Sequence, residues 1–158
     1  MSPSVGEDAP DFALKDQHGQ TVRLSDLRGR KAVLVVFYPW AFTGVCGGEL
    51  HAMQAKLDEL VSEDVALVTV STDSMYALRT YADQEGFTFP LLSDFWPHGA
   101  VAEAYGVLHP ELGVALRGTF LVDREGIVRW SVVSGISDER DLGAYKEAVA
   151  ALGPGSRG

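Results

Sequence analysis

The feature that most constrains this chain is an apolar run over residues 32–38, which a proline ends. Its β-branched and aromatic residues are typical of a central strand buried on both faces. Pro39 cannot donate a ladder hydrogen bond, so it marks the end of that strand. Apolar residues then recur at helical spacing, which predicts a helix over about 46–62. Cys46, the only cysteine in the chain, therefore lies where a buried strand passes into the first turn of a helix.

This position favours an ionised sulfur. The first turn of a helix carries unpaired backbone N–H groups and the positive end of the helix dipole, and both stabilise an anion. A thiolate is such an anion, and it is the nucleophilic form of cysteine. Thr43, shortly before Cys46, is placed to cap the helix or to offer its hydroxyl to the sulfur. The turn therefore predicts a reactive thiolate.

The rest of the chain alternates between strand patterns and helix patterns, as βαβ units do. The predicted elements are a hairpin at 11–14 and 21–24, a helical turn at 25–29, strands at 32–38 and 65–71, helices at about 46–62 and 73–83, an edge or marginal strand at 89–94, a short helix at 98–105, a hairpin at 117–123 and 127–133, and a last helix at 138–152. Together they predict an α/β fold of thioredoxin-like outline, with an N-terminal β-hairpin and a central mixed sheet flanked by helices.

Size and charge bound the classes of protein that fit. A length of 158 residues with 46% hydrophobic side chains predicts one domain, residues 1–153, followed by a flexible tail at 154–158. The formal net charge of −9 argues against nucleic acid as a partner and favours a cytoplasmic protein. We expect neither a signal peptide nor a membrane span, because no stretch approaches the ~20 apolar residues of a span. A single cysteine predicts a free thiol.

The spacing of Pro39, Thr43 and Cys46, P-x-x-x-T-x-x-C, resembles the active-site signature of the peroxiredoxins. Arg117, which opens the stretch R-G-T-F-L-V-D, resembles the distant active-site arginine of that family. Glu49 resembles the family's acid that holds this arginine in position. The residues that carry the likeness are thus spread over two predicted strands and a helix.

The likeness covers nearly the whole chain. The opening G-x-x-A-P-D-F at 6–12 and the stretch G-F-T-F-P-L-L-S-D at 86–94 match the family as well. The stretches A-F-T-G-V-C at 41–46 and D-F-W-P-H-G-A-V at 94–101 resemble more narrowly the one-cysteine, AhpE-like peroxiredoxins. The resemblance implies the thioredoxin-like fold of that family.

The resemblance also implies a thiol peroxidase. Cys46 would attack hydrogen peroxide, an organic hydroperoxide or peroxynitrite and become a sulfenic acid. Arg117 would stabilise the thiolate and the developing charge on oxygen, with Glu49 holding it. Thr43 would orient sulfur and peroxide, and Pro39 would cover the pocket and limit water. This step needs no metal, flavin or nicotinamide cofactor.

The chain departs from the two-cysteine members of the family, because it has no second cysteine to form a disulfide. Its sulfenic acid would need an external thiol, either a low-molecular-weight thiol with a redoxin or a thioredoxin-like protein. The resemblance further implies a homodimer or a larger homo-oligomer. Trp40 and Phe42 would line either the substrate pocket or a subunit interface.

Other interpretations of the same residues remain open. A lone cysteine is often a small buried hydrophobe. A thioredoxin-like disulfide oxidoreductase is disfavoured because Thr43 stands where a C-x-x-C pair would need cysteine. A non-enzymatic redox sensor, in which oxidation of Cys46 alters an interface, is a further alternative. The four histidines are scattered along the chain, which does not favour a zinc site.

Overall fold

The computed structural model describes residues 2–135 and 140–152. These residues form a mixed sheet with helices on its faces. The strands are β1 (Ala13–Lys15), β2 (Thr21–Arg23), β3 (Ala32–Phe37), β4 (Val65–Ser71), β5 (Leu91–Ser93), β6 (Arg117–Val122) and β7 (Val128–Ser134). The helices are α1 (Gly44–Ala55), α2 (Leu57–Leu60), α3 (Met75–Glu85), α4 (Ala100–Ala104) and α5 (Leu142–Leu152), with a 3-10 turn at Leu24–Asp26. The predicted thioredoxin-like α/β architecture with an N-terminal hairpin is confirmed.

The apolar run at 32–38 forms the middle of the sheet, as predicted. The seven strands lie in the order β2-β1-β5-β4-β3-β6-β7, and β3 pairs in parallel with β4 and antiparallel with β6. All residues of β3 are buried. Because successive side chains of a strand point to opposite faces, β3 contributes to two cores. One contains Leu34, Val36 and Tyr38 with α1, α3 and α5, and the other contains Val33, Val35 and Phe37 with α4 and the N-terminal segment.

The prediction of an edge or marginal strand at 89–94 is right about its shortness, since β5 has three residues, but wrong about the edge. β5 lies inside the sheet, parallel to β4 on one side and antiparallel to β1 on the other. Pro90 comes just before β5, and its carbonyl accepts hydrogen bonds from the N–H and the hydroxyl of Thr69 (3.0 and 2.9 Å). Because Pro90 lies outside β5 and offers only its carbonyl to β4, its missing N–H does not force the strand to the edge. The edges of the sheet are β2 and β7.

The predicted helix at 46–62 is two helices. α1 starts earlier than predicted, at Gly44, and the chain leaves helical geometry at Lys56, where φ is −107° and ψ is 18°. Neither proline nor glycine stands at this break. After it, α2 directs Leu60 into the core on the α1 face of the sheet, so packing favours the change of direction.

The remaining helices begin and end within a few residues of their predicted bounds. Ser74 caps α3 by accepting a hydrogen bond from the N–H of Ala77 (3.1 Å). Gly86, with φ at +76°, ends it in the left-handed conformation that glycine adopts readily. The start of the predicted last helix lies partly outside the described residues, as does the predicted tail at 154–158. Within the described parts of the chain, no helix has the length and hydropathy needed to cross a bilayer.

Candidate active site

Cys46 lies in the first turn of α1, directly beyond the strand β3. Its side chain is fully buried, in the core cluster that also contains Tyr38, Met53 and Tyr81. The strand-to-helix location that the sequence predicts is therefore present. A side chain from β6 reaches the sulfur, and Leu34 and Val36 of β3 belong to the same core cluster.

Arg117 reaches the sulfur from β6. It is the first residue of that strand, it is 3% exposed, and its Nη2 donates to Cys46 Sγ over 3.3 Å. A guanidinium is always charged in proteins, and its Coulomb attraction for an anion is much stronger in a buried site than in water. The contact therefore holds a permanent positive charge against the sulfur. Arg117 and Cys46 are 71 residues apart in the chain, so only the fold brings them together.

Glu49 holds Arg117 on its other side. It follows Cys46 by nearly one helical turn, which places both side chains on the same face of α1. Its Oε1 accepts a hydrogen bond from Nη1 of Arg117, and the side chain is nearly buried. The guanidinium thus bridges a carboxylate and a sulfur, which limits the orientations it can adopt.

Arg140 is a second buried arginine at this site, and the sequence analysis missed it. Its backbone N–H donates to Glu49 Oε2 (2.8 Å) and its Nε to Glu49 Oε1 (3.2 Å). Its Nη1 donates to the hydroxyls of Thr119 (3.0 Å) and Tyr145 (2.9 Å), and its Nη2 to the carbonyl oxygen of Phe37. The side chain is 3% exposed. In the sequence it stands in a charged stretch shortly before α5, where nothing distinguishes it from a solvated arginine.

Thr43 occupies the N-cap position of α1 with extended backbone angles, but it does not cap the helix through its side chain. Its hydroxyl instead donates to the carbonyl oxygen of Trp40 (3.0 Å). The predicted side-chain cap is therefore wrong, because Oγ1 lies beside the Trp40 carbonyl in the turn before the helix and accepts no hydrogen bond from the first N–H groups of α1. Pro39 is buried at the start of this turn, and the N–H of Ala41 anchors the turn to Asp73 Oδ2 (3.0 Å).

An exposed apolar rim surrounds the turn, formed by Trp40, Phe42 and Val45. Their exposed fractions are 37%, 53% and 46%. Phe42 adopts a positive φ of 66°, which is uncommon for a bulky residue, and its ring packs on Tyr81 with centroids 4.7 Å apart. The strained turn therefore holds aromatic surface outward beside the buried sulfur.

Two concavities flank the N-terminal part of α1. One, of about 500 Å³, has Glu49 and Arg140 in its wall together with Val45, Ala52 and Leu142. The other, of about 340 Å³, lies between α1 and α3 beneath Phe42. Neither includes Cys46, in keeping with its full burial. Over residues 2–135 and 140–152, no group of three or more His, Cys, Asp or Glu side chains is arranged to hold a metal ion.

Comparison with known proteins identifies the family of the chain. The family model described as "AhpC/TSA family" matches residues 5–131. Alkyl hydroperoxide reductase E of Mycobacterium tuberculosis is 49% identical over 149 residues, which cover 94% of this chain and 97% of that protein.

Solved structures give the same result. The reduced 2-Cys peroxiredoxin of Plasmodium vivax superposes with a TM-score of 0.85 at 30% identity, over 95% of this chain and 82% of that one. AhpC of Mycobacterium tuberculosis superposes with a TM-score of 0.85 at 27% identity, over 96% of this chain and 99% of that one. The chain therefore belongs to the AhpC/TSA family, in which it is a thiol-dependent peroxidase with a single cysteine, similar to AhpE.

Proposed function

We propose that Cys46 is the peroxidatic nucleophile of this enzyme and that hydrogen peroxide and organic hydroperoxides are its substrates, with peroxynitrite as a third. The observation that carries the proposal is the 3.3 Å contact between Arg117 Nη2 and Cys46 Sγ in a fully buried site. A permanent cation against the sulfur supports nucleophilic chemistry more than a structural role. The name of the mycobacterial relative, an alkyl hydroperoxide reductase, supports organic hydroperoxides as substrates.

The reaction balances with the residues of the site. The thiolate attacks the terminal peroxide oxygen, so an S–O bond forms, the O–O bond breaks and the sulfur is oxidised by two electrons. The departing hydroxide or alkoxide takes up a proton from solvent and leaves as water or an alcohol, whereas peroxynitrite releases nitrite, which needs no proton. Negative charge develops on the oxygens during this transfer. Arg117, which donates to the sulfur, stabilises that charge.

The other residues have supporting roles in the proposal. Glu49 positions Arg117, and Arg140 neutralises the second oxygen of that carboxylate. Thr43 lies at the start of the helix, where rotation of its hydroxyl away from the Trp40 carbonyl would direct it to a bound peroxide. Pro39 covers the site from the strand side and limits water, which slows further oxidation of the sulfur.

Regeneration requires a thiol from outside the chain. With one cysteine, the sulfenic acid has no internal thiol to condense with. An external thiol attacks the sulfur to give a mixed disulfide and water, and a second thiol releases Cys46. A low-molecular-weight thiol with a redoxin, or a thioredoxin-like protein, fits this chemistry.

The proposal includes an oligomeric state, argued from the exposed apolar rim, and a cellular location, argued from the net charge. We place a homodimer, or a larger homo-oligomer, at the exposed apolar rim of Trp40, Phe42 and Val45, because such surface beside a site often marks a contact between subunits. The net charge of −9 is compatible with a cytoplasmic protein, formed as one domain over residues 1–153.

The test is stopped-flow tryptophan fluorescence of the reduced protein mixed with hydrogen peroxide or an alkyl hydroperoxide, followed by mass spectrometry. We expect a fast, peroxide-dependent change and one added oxygen on Cys46. Cys46→Ser should abolish both signals. A wild-type reaction no faster than that of a free thiol would remove the peroxidase role, and redox-dependent binding of a partner would then favour a sensor. Turnover in an insulin-reduction assay would favour a disulfide oxidoreductase.

A further inference from the structure

Over residues 2–135 and 140–152, two buried tyrosine hydroxyls in the core around Cys46 have no hydrogen-bond partner. Tyr38 is 1% exposed and Tyr81 is 2% exposed, and within the described residues neither hydroxyl has a partner. The other buried tyrosines are satisfied: the hydroxyl of Tyr105 donates to the carbonyl oxygen of Pro10 (2.6 Å), and that of Tyr145 accepts from Arg140 (2.9 Å). Since unpaired buried polar groups are rare and costly, two in one cluster need an explanation.

The immediate surroundings do not supply one. The Ser71 hydroxyl lies beside Tyr38 and donates to Asp73 Oδ2 (2.8 Å), but no hydrogen bond joins it to the tyrosine hydroxyl in the described residues. The backbone of Phe42 lies beside Tyr81, again without the geometry of a hydrogen bond. Each hydroxyl thus has a polar neighbour, yet both keep an unused donor in the interior of the protein.

Both hydroxyls lie in the core around Cys46, close enough to its sulfur to interact with it electrostatically, and the sulfur's hydrogen bond from Arg117 comes from β6. Tyr38 extends from β3 into the core shared with Cys46, and Tyr81 comes from α3. The Tyr81 hydroxyl is 3.4 Å from the point that a Cβ on Gly47 would occupy, and Gly47 follows Cys46 directly. Arg117 comes from β6. In the strand order, β3 and β4 separate β6 from β5, and α3 contacts β5.

Both hydroxyls are donors at neutral pH. Burial raises the pKa of Tyr81 to about 12, and the nearby Cys46 contributes in the same direction. Burial also raises the pKa of Tyr38 above its ordinary value. The phenols therefore keep their protons, and within the described residues neither proton is used in a hydrogen bond.

We propose that Tyr38 and Tyr81 donate hydrogen bonds to the oxygen that Cys46 acquires as a sulfenic acid. This inference rests on the proposed peroxidase function. Peroxide reduction forms one S–O bond and breaks the O–O bond, which adds an acceptor that extends beyond the sulfur. Rotation about Cβ–Sγ turns that oxygen from Arg117 toward the two hydroxyls. The enzyme then holds its oxidised intermediate in a satisfied core until the external thiol arrives.

The test compares the thermal stability of the reduced and the sulfenic forms. Tyr38→Phe, Tyr81→Phe and the double variant are prepared reduced or treated with one equivalent of hydrogen peroxide, with mass spectrometry verifying one oxygen on Cys46. The reduced forms lose no hydrogen bond, so their Tm should stay unchanged or rise. The difference between oxidised and reduced Tm should fall by about 2–4 °C for each hydroxyl removed.

The matched control is Tyr105→Phe, which removes a satisfied tyrosine hydroxyl from the opposite face of the sheet. It should lower the Tm of both forms equally. The inference is overturned if Tyr38→Phe and Tyr81→Phe show the same difference between oxidised and reduced Tm as the wild type.

A crystal structure of the peroxide-treated wild-type protein tests the inference without any variant. We expect the sulfur-bound oxygen within about 3.2 Å of at least one hydroxyl. An oxygen on the Arg117 side, with both hydroxyls still unpaired, overturns the inference while leaving the proposed function intact. Absence of any added oxygen on wild-type Cys46 rejects both, and mass spectrometry separates that outcome from the first.

Discussion

Two carboxylates of this protein, Glu49 and Asp123, are buried and bound to arginine, but they obtain their partners in opposite ways. Asp123 lies in the β6–β7 turn and accepts from Glu125 N, Ile127 N and Arg129 Nε, which are 2, 4 and 6 residues away. Glu49 accepts from Arg117 and Arg140, which are 68 and 91 residues away.

The contacts of Asp123 serve local structure, whereas those of Glu49 build the candidate active site. The contacts of Asp123 close a turn that the hairpin sequence already favours, and they lie far in the fold from any reactive group. The contacts of Glu49 assemble three chain segments around Cys46 and place a cation on its sulfur. A buried charge satisfied from distant segments needs the whole fold, so its loss should affect catalysis and stability together.

The largest effect should follow from Arg117→Ala. Removing the donor on the sulfur should slow the oxidation of Cys46 by about 10²–10³-fold, the usual effect of losing a donor to a developing oxyanion. Stopped-flow fluorescence with hydrogen peroxide measures this rate. Arg129→Ala is the matched control, because that arginine pairs with Asp123 instead of the sulfur, and its rate should match wild type. A rate for Arg117→Ala within threefold of the control would contradict the assigned role.

Glu49→Gln should show the next largest effect. It leaves two buried arginines without a carboxylate, which should lower the free energy of unfolding by about 3–5 kcal/mol, as measured by urea denaturation. The oxidation rate of Cys46 should fall as well, since Arg117 loses its support. Asp123→Asn provides the comparison: it should leave the oxidation rate unchanged. Equal effects of the two variants on the rate would remove the distinction between the two carboxylates.

Thr43→Val should have a smaller effect, confined to the reaction. The hydroxyl is exposed and bonded only within its own turn, so stability should change by about 1 kcal/mol or less. If the hydroxyl turns to the peroxide, the oxidation rate should fall about tenfold, and Thr43→Ser should restore it. A wild-type rate for Thr43→Val would limit this residue to shaping the turn.

The smallest effect concerns how stability depends on pH through Asp123 in the β6–β7 turn. Burial raises the pKa of Asp123, but two backbone N–H groups and the Arg129 guanidinium outweigh it and hold the pKa below its usual range. A carboxyl whose pKa is lower in the folded state stabilises the fold above its unfolded value, about 3.9, and loses this contribution as the pH falls further. Asp123→Asn should therefore flatten the decline of stability below about pH 4. Urea denaturation at each pH measures this decline. If the stability of wild type and of Asp123→Asn declined in parallel, the acid sensitivity would come from other groups.

Most elements follow from local pattern, and the errors have specific causes. The run at 32–38 reads as a central strand because a segment with no polar face must be buried on both sides. Pro90 suggested an edge strand, but it precedes β5 and its carbonyl is what Thr69 uses. The break at Lys56 has no local signal, since it depends on how Leu60 packs against the core.

The sequence by itself determined the strand, the turn and the helix that carry Cys46, because propensity, proline and hydrophobic period act over a few residues. It also determined that a single thiol must be reduced from outside. Only the tertiary structure decided that Arg117 reaches the sulfur, that Arg140 joins Glu49, and that two tyrosine hydroxyls find no partner in the part of the chain that the structure describes. The reason is physical: a buried polar group takes its partner from whichever segment packs beside it, and that neighbour is set by sheet order and helix packing, which local pattern does not contain.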